Sequence, residues 1–526
     1  MIRNAVDREL PEQIGSYVVK PYSGLPIRSF VNGPVQTLRT AGRGVPRQSK
    51  LVNDLRAAIL DAGLSNGMTI SFHHSFREGD LLIGKVLETI RDLGIHGLCF
   101  APSAVVNLNN CPLADYVQDG TIARIEASGI RGDLGDKLIR GETVLKEPAI
   151  LRPHGARPRA IEAGELNIDV AFIGASAADD HGNCTGQIGP NACGSLGYSF
   201  SDAYNARYVI VVTDHLVDYP CCPVSISQQY VDCVVKVNQI GDPEKIGSGA
   251  TRVTKNPRDI LIAKSVVDVI AASRRFQNGF SFQTGAGVIA VACTKYLSER
   301  MREQGVVASY ALGGVTAGII DMYDAGQVRV VACSQSFDDV AARAIAERPG
   351  VLEIDNADYS NPLSKGGYLD HLNFGVLGAL EVDTDFNINI LTGSSGQMMG
   401  GLGGGPDVAG GADISIVALP LFRGRTPSIV KRVFTCCTPG ETVACVVTQA
   451  GIAVNPKHPC AKELSEDIRR AGLKICTIEE LQQLAESITG MPKPIECTDH
   501  VVAIVEYRDG TVLDTIREIK KSNKEG

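Results

Sequence analysis

Two stretches of this chain repeat one another. Asn66-Gly-Met-Thr-Ile-Ser-Phe-His-His74 leads into an amphipathic run ending at Gly94, and Asn278-Gly-Phe-Ser-Phe-Gln-Thr-Gly285 leads into a similar run ending at Gly305. The spacings nearly agree, 27 residues from Gly67 to Gly94 and 26 from Gly279 to Gly305. Each unit reads as strand, loop, helix, glycine cap and next strand, which presents its loop at the carboxyl edge of a parallel sheet, where ligands bind. Elsewhere β-branched runs (Tyr208–Thr213, 328–332, Ile414–Ala418) alternate with amphipathic segments such as 84–93 and 336–346. That alternation means βαβ units. The expected fold is therefore α/β, with two tandem, similar, open domains built on largely parallel sheets.

A chain of 526 residues has room for about two to four domains. The polar segment 241–256, GDPEKIGSGATRVTKN, reads as a junction between a first domain at 46–240 and a second at 257–520. Residues 1–45 read as an extended arm, of the kind that packs on a neighbouring domain or subunit.

Several function classes are disfavoured. With 51 basic and 59 acidic residues the formal net charge is −8, which argues against a broad nucleic-acid surface and leaves anions to be held by local Arg, Lys or backbone N–H groups. The longest apolar stretches, 265–273 and 414–422, fall short of the ~18–20 residues of a membrane span. The opening MIRNAVDREL carries acids and no apolar core, so a cytoplasmic, non-membrane protein is expected. Fifteen scattered cysteines, an odd number without C-x-x-C, read as reduced buried thiols and give no metal site. Neither a Walker A pattern nor a strand-following G-x-G-x-x-G occurs, which disfavours ATP and nicotinamide enzymes. Glycine is in excess, 56 residues or about 11% against a usual ~7%, and it clusters where strands end.

At those strand ends the chain resembles a known family. Gln283-Thr-Gly-Ala-Gly287 resembles the Q-x-G-x-G loop of CoA-transferases and acetyl-CoA hydrolases, and Gly401-Leu-Gly-Gly-Gly-Pro-Asp407 resembles their G-x-G-G-x-x-D loop. Asp169-Val-Ala-Phe-Ile-Gly-Ala-Ser176 with Asp180-His-Gly-Asn183 looks like the family's first-domain strand and turn, and 446–453 looks like its carboxyl-terminal strand. From NGMTISFHHSFREGD through GELNIDVAF, IGSGATRVTKNPRDIL and FNINILTGSSG to LFRGRTPSIV, the chain is similar specifically to citrate lyase α chains. The fold this implies is a pair of CoA-transferase-like (NagB/RpiA-like) domains.

The resemblance implies a citrate CoA-transferase that moves a CoA-like thiol carrier from acetate to citrate. The carrier would be CoA or the phosphoribosyl-dephospho-CoA arm of an acyl-carrier γ subunit, a substrate rather than a group bound covalently to this chain. A β subunit that splits the citryl thioester and further copies of this chain are the other expected partners, with acetyl-CoA and citrate as small molecules. A carboxylate attacking a thioester builds charge on the carbonyl oxygen, which backbone N–H groups of a glycine loop can approach. Gly401, Gly403 and Gly404 are the candidates for that role. Gln283, Gly285 and Gly287 would border the pantetheine channel, with Asp407 and Arg252 also assigned to CoA. Many CoA-transferases use a glutamate nucleophile, and the corresponding stretch here, Tyr310-Ala-Leu-Gly-Gly-Val-Thr-Ala317, has glycine. Without a carboxylate in that loop, no enzyme-bound thioester forms there. Citrate would then attack the acetyl thioester directly, through a mixed anhydride in a ternary complex. Glu381 is the rival nucleophile, with a paired structural carboxylate as its other reading.

Citrate needs cations and donors around its carboxylates. His73, His74 and Arg77, on the loop after the first repeat strand, are candidates, as are Ser394 and Ser395 in Thr392-Gly-Ser-Ser-Gly396. Arg423 and Arg425 are further cations, each as readily a solvated charge, and His181 reads as a turn residue. A thioesterase acting through Glu381 on the same fold, a non-catalytic scaffold, and citramalate in place of citrate all remain open at this level.

Overall fold

The computed structural model describes residues 1–25, 48–105, 111–247 and 254–520. Thr69–Phe72 is buried at every position, as a strand covered on both faces must be. It lies inside a ten-stranded sheet that runs from Leu51–Val52 through Cys233–Lys236, Tyr208–Thr213 and Val170–Gly174 to Thr69–Phe72. Beyond it come Leu98–Pro102, Ile122–Ala127, Ala149–Leu151, Cys497–Glu506 and Val512–Ile519. All neighbours are parallel except the last pair.

Ser281–Thr284, the repeat of Thr69–Phe72, holds the same place in a nine-stranded sheet. On one side lie Ala308–Val315, Val328–Ser336 and Val351–Glu353, and on the other Phe374–Leu377, Ile414–Ala418 and Cys445–Thr448. In both sheets three successive strands extend to one side and the chain then returns to the other, which makes each repeat strand the edge of a topological switch point. The helix Val288–Gln304 ends on Gly305 in the left-handed region, the cap expected from sequence.

Three expectations need correction. The carboxyl-terminal hairpin, expected within a second domain at 257–520, pairs Ala503 to Val505 with Ala149 to Leu151 and so completes the first sheet. Its run of buried, mostly apolar residues from Val501 to Glu506 covers an edge that would otherwise be open. The segment 446–453 is a hairpin, not one strand, because Cys445–Thr448 turns back and pairs antiparallel with Gly451–Val454. Segment 336–346 divides: Ser336 ends a strand, and the helix Asp339–Glu347 starts only at the Asp338 cap.

The described part of the arm packs on its own chain, where Leu10, Ile14 and Val19 form a small core with Val501, Ile504 and Val512. Each large sheet has its own core, but Leu391, Met398 and Leu402 of the second half lie in the core of the first. Among the described residues no helix is long and apolar enough to cross a membrane.

Candidate active site

The carboxyl edges of the two sheets face each other. Arg77, beyond the first repeat strand, donates from Nη2 to the Ser336 carbonyl at 3.0 Å and stacks 4.3 Å over the Phe337 ring. Leu196 N–H donates to Glu353 Oε1 at 2.7 Å, and Asn356 Nδ2 donates to the His154 carbonyl at 2.9 Å. Arg77 holds a left-handed φ of 52°, a conformation uncommon outside glycine.

The glycine loop crosses this seam. Leu402 N–H donates to the Ser128 carbonyl at 2.7 Å, and the Gly403 carbonyl accepts from His154 N–H at 2.9 Å. A Cβ on Gly129 would stand 2.4 Å from the Gly401 Cα, so the loop of one half lies directly on the loop of the other. Gly403 has φ 54° and Gly404 forms the cap of the helix Gly405–Gly411.

Beside the loop stands a ring cluster. His74 and His154 each lie 4.7 Å from the Tyr198 ring, centre to centre. The Tyr198 hydroxyl is 2.7 Å from His154 Nδ1 and donates to Gln335 Oε1 at 3.3 Å across the seam. Ser103 Oγ accepts the His74 amide at 3.0 Å and lies 2.5 Å from His74 Nδ1. Either atom can be the donor in that contact, because a serine hydroxyl both donates and accepts. Burial, reinforced by His154, Arg77 and Arg131, holds the His74 imidazole well below its ordinary range. Burial, with the fields of Arg131 and Arg157, pushes His154 down to about 3. Both rings are thus neutral near pH 7. Arg77 is lowered to about 10 by burial but stays cationic. Arg131, whose Nη2 would lie 3.7 Å from a Cβ on Gly401, has no hydrogen-bonded or ion-paired partner among the described residues.

Gly313 sits at φ 103°. A Cβ there would meet Gln283 Cγ at 3.3 Å and the Tyr359 hydroxyl at 3.5 Å, so backbone and neighbours together disfavour any side chain at this position. Gln283 is buried and its Oε1 has no hydrogen-bond partner among the described residues. Gly285 and Gly287 open to solvent at the start of the helix Val288–Gln304, where a Cβ on Gly287 would meet nothing within 4 Å.

Other residues singled out from the sequence are engaged elsewhere. His73 turns away from His74 into the first domain, where its Nε2 is 2.9 Å from Asp202 Oδ2, a carboxylate that also accepts from Ser71 and from Arg157 at 2.7 Å. Successive residues leaving a strand face opposite ways, so the pair could not act as one. Asp407 is fully buried, accepts Gly155 N–H at 2.9 Å and lies 3.7 Å from Arg508, which ties the halves together and leaves no face for CoA. Glu381 accepts from Asn389 Nδ2 at 2.9 Å, and Asn389 Oδ1 in turn holds the Leu391 and Thr392 amides. These contacts give Glu381 a structural part in a small three-stranded sheet. Ser394 and Ser395 are exposed on a hairpin whose Gly396 leans on Ile519. Arg423 donates to the Ala379 and Leu380 carbonyls, Arg425 is exposed, and His181 lies in a turn 2.7 Å from Asp180. Arg252 lies outside the described residues.

Sequence reasoning passed over Ser103, Arg131, His154, Tyr198 and Tyr359. A usable signal existed for three of them: Ser103, Arg131 and His154 each follow a first-half strand at its carboxyl end, the place already assigned to His74.

Comparisons with known proteins identify the family. The family model "Citrate lyase, alpha subunit" matches residues 48–519. The citrate lyase alpha chain of Klebsiella pneumoniae is 45% identical over 92% of this chain and 94% of its own length. That of Escherichia coli K12 is 45% identical over 94% and 95%. A crystal structure described as the alpha subunit of citrate lyase from Streptococcus mutans, in complex with citrate, has a TM-score of 0.92 at 41% identity, covering 99% of this chain and 100% of that one. A Pseudomonas malonate decarboxylase hetero-tetramer, in complex with malonate, has a TM-score of 0.60 at 17% identity over 84% and 86%, a likeness of fold alone. On the family match and the identity over nearly its whole length, the chain belongs to the citrate lyase alpha-subunit family.

Proposed function

We propose that this cleft transfers a CoA-like thiol carrier from acetyl to citrate without an acyl-enzyme. One citrate carboxylate oxygen attacks the acetyl thioester carbon, the carbonyl pair moves onto oxygen, and collapse breaks the C–S bond to give an acetyl–citryl anhydride and a thiolate. The thiolate then attacks the citryl carbonyl of the anhydride, and the C–O bond breaks to release acetate. Bonds formed and broken balance, and no net proton is transferred.

Glycine at 313 carries the direct path: its left-handed backbone and the side chains above it leave no place for a nucleophile. Backbone N–H groups of Gly403 and Gly404 face the developing oxyanion. Arg77 and Arg131 supply charge for citrate's remaining carboxylates, and neutral His74 lies beside them without repelling either cation. Citrate in the Streptococcus relative supports this choice of acceptor. Gly285 to Gly287, with the N–H groups opening the long helix behind them, suit the carrier's phosphates. That carrier is CoA or the prosthetic arm of a γ subunit, and the citryl product passes to a β subunit within a lyase complex.

Initial rates against acetyl-CoA at several citrate concentrations test the reading. Direct transfer gives intersecting reciprocal plots and no mass gain when enzyme meets acetyl-CoA alone. Parallel plots, or a CoA adduct on Glu381, would restore a covalent glutamyl route.

A further inference from the structure

The Tyr359 side chain lies where the loop Gly401–Gly404 meets the strand Ala308–Val315. It lies in the short helix Asn356–Ser360, with only 4% of its surface exposed. Its hydroxyl is 3.1 Å from the point where a Cβ on Gly404 would stand and 3.5 Å from the corresponding point on Gly313. A side chain at either position would crowd the hydroxyl, so two glycines, one in the strand Ala308–Val315 and one capping the helix Gly405–Gly411, leave the space beside it free. The hydroxyl makes no hydrogen bond to any described residue, although buried hydroxyls generally have a partner. Beside it, the Gln283 amide oxygen is buried and also unpartnered. Burial, with Asp407 adding to it, holds the Tyr359 phenol well above its ordinary range, so it keeps its proton as a donor.

We propose that the Tyr359 hydroxyl is a catalytic residue that donates to the reacting carbonyl oxygen, in the space that a glutamate fills in other CoA-transferases. The assignment rests on the transfer reading above. When the citrate oxygen bonds to the thioester carbon, the carbonyl π pair becomes an oxyanion lone pair, and Tyr359 O–H together with the Gly404 N–H receives it. Collapse returns the pair to the C=O bond as the thiolate leaves with the C–S electrons, and the phenol proton never moves.

The full chain carrying Tyr359→Phe separates this role from packing. Because the hydroxyl has no hydrogen-bond partner among the described residues, its loss leaves none of them unsatisfied, and the thermal midpoint should stay level or rise. With acetyl-CoA and citrate, kcat should fall about 10²-fold, the cost of one oxyanion donor, with KM for acetyl-CoA within about threefold. If the variant does not fold, 3-fluorotyrosine at 359 keeps the ring, and kcat should shift with the acidity of the phenol. A kcat within twofold of wild type, or no response to fluorination, overturns the assignment. Wild-type thioester loss that needs no citrate would overturn the transfer reading alone, and Tyr359 would then be judged by the same ratio on hydrolysis. A wild-type chain that turns over neither acetyl-CoA nor the acetylated carrier of a γ subunit, with or without citrate, removes both.

Discussion

The Gly403 carbonyl accepts the backbone N–H of His154 at 2.9 Å, joining the glycine loop of one sheet to the strand end of the other. This bond ties the loop proposed to supply oxyanion donors to the imidazole cluster, although more than two hundred residues separate them in sequence. Preorganised donors of this kind need no rearrangement as charge develops.

The tightest point of that seam is Gly129. Its added Cβ would meet Gly401 Cα at 2.4 Å and the Gly400 carbonyl at 2.6 Å, backbone atoms that cannot swing aside. Gly129→Ala should cost about 1–3 kcal/mol, as overpacking does, and lower transfer at least tenfold by lifting the loop. Gly378→Ala, where an added Cβ meets nothing, serves as the control for stability. Thermal unfolding and initial rates check both; equal behaviour of the two variants would remove the seam from the argument.

Arg131 stands next to Gly401 with no hydrogen-bonded or ion-paired partner among the described residues, so removing it leaves none of them unpaired. Arg131→Gln should raise KM for citrate about 10- to 100-fold, since a hydrogen bond to a charged group is worth about 1.5–3 kcal/mol. KM for acetyl-CoA should stay within about twofold. A rise confined to acetyl-CoA would move Arg131 to the carrier's phosphates.

Stability should fall with acidity through His154. Its folded pKa is depressed to about 3, while the unfolded imidazole titrates near 6.5. Below that value the unfolded state binds the extra proton, so stability is full above about 6.5 and is lost as pH drops toward 3. Between pH 7.5 and 5 this residue accounts for about 2 kcal/mol. The difference in unfolding free energy between those two pH values should shrink by about that amount in His154→Gln. An unchanged difference would mean the ring is protonated in the folded protein.

The repeat, the glycine excess and the strand and helix periods were sufficient to determine two parallel sheets with loops at matching carboxyl edges, because side-chain burial in strands and helices follows local order along the chain. The same local order put His74 on a loop at the sheet edge, whereas Gly401 to Gly404 and Gln283 were marked by their resemblance to CoA-transferase loops. Pairing across the chain was not legible: the final hairpin joins the first sheet, since an open edge selects its partner by fit rather than by distance in sequence. Nor could spacing tell His73 from His74; the first faces Asp202 inside the domain and the second faces the cleft. Asp407 and Glu381 looked chemical because they are carboxylates beside glycines or strands, but burial beside Gly155, Arg508 and Asn389 makes them structural. Tyr359 and Tyr198 had no sequence signal to mark them. They acquire their places only when two sheet edges meet, because an active site between domains is defined by contacts that neither half contains alone.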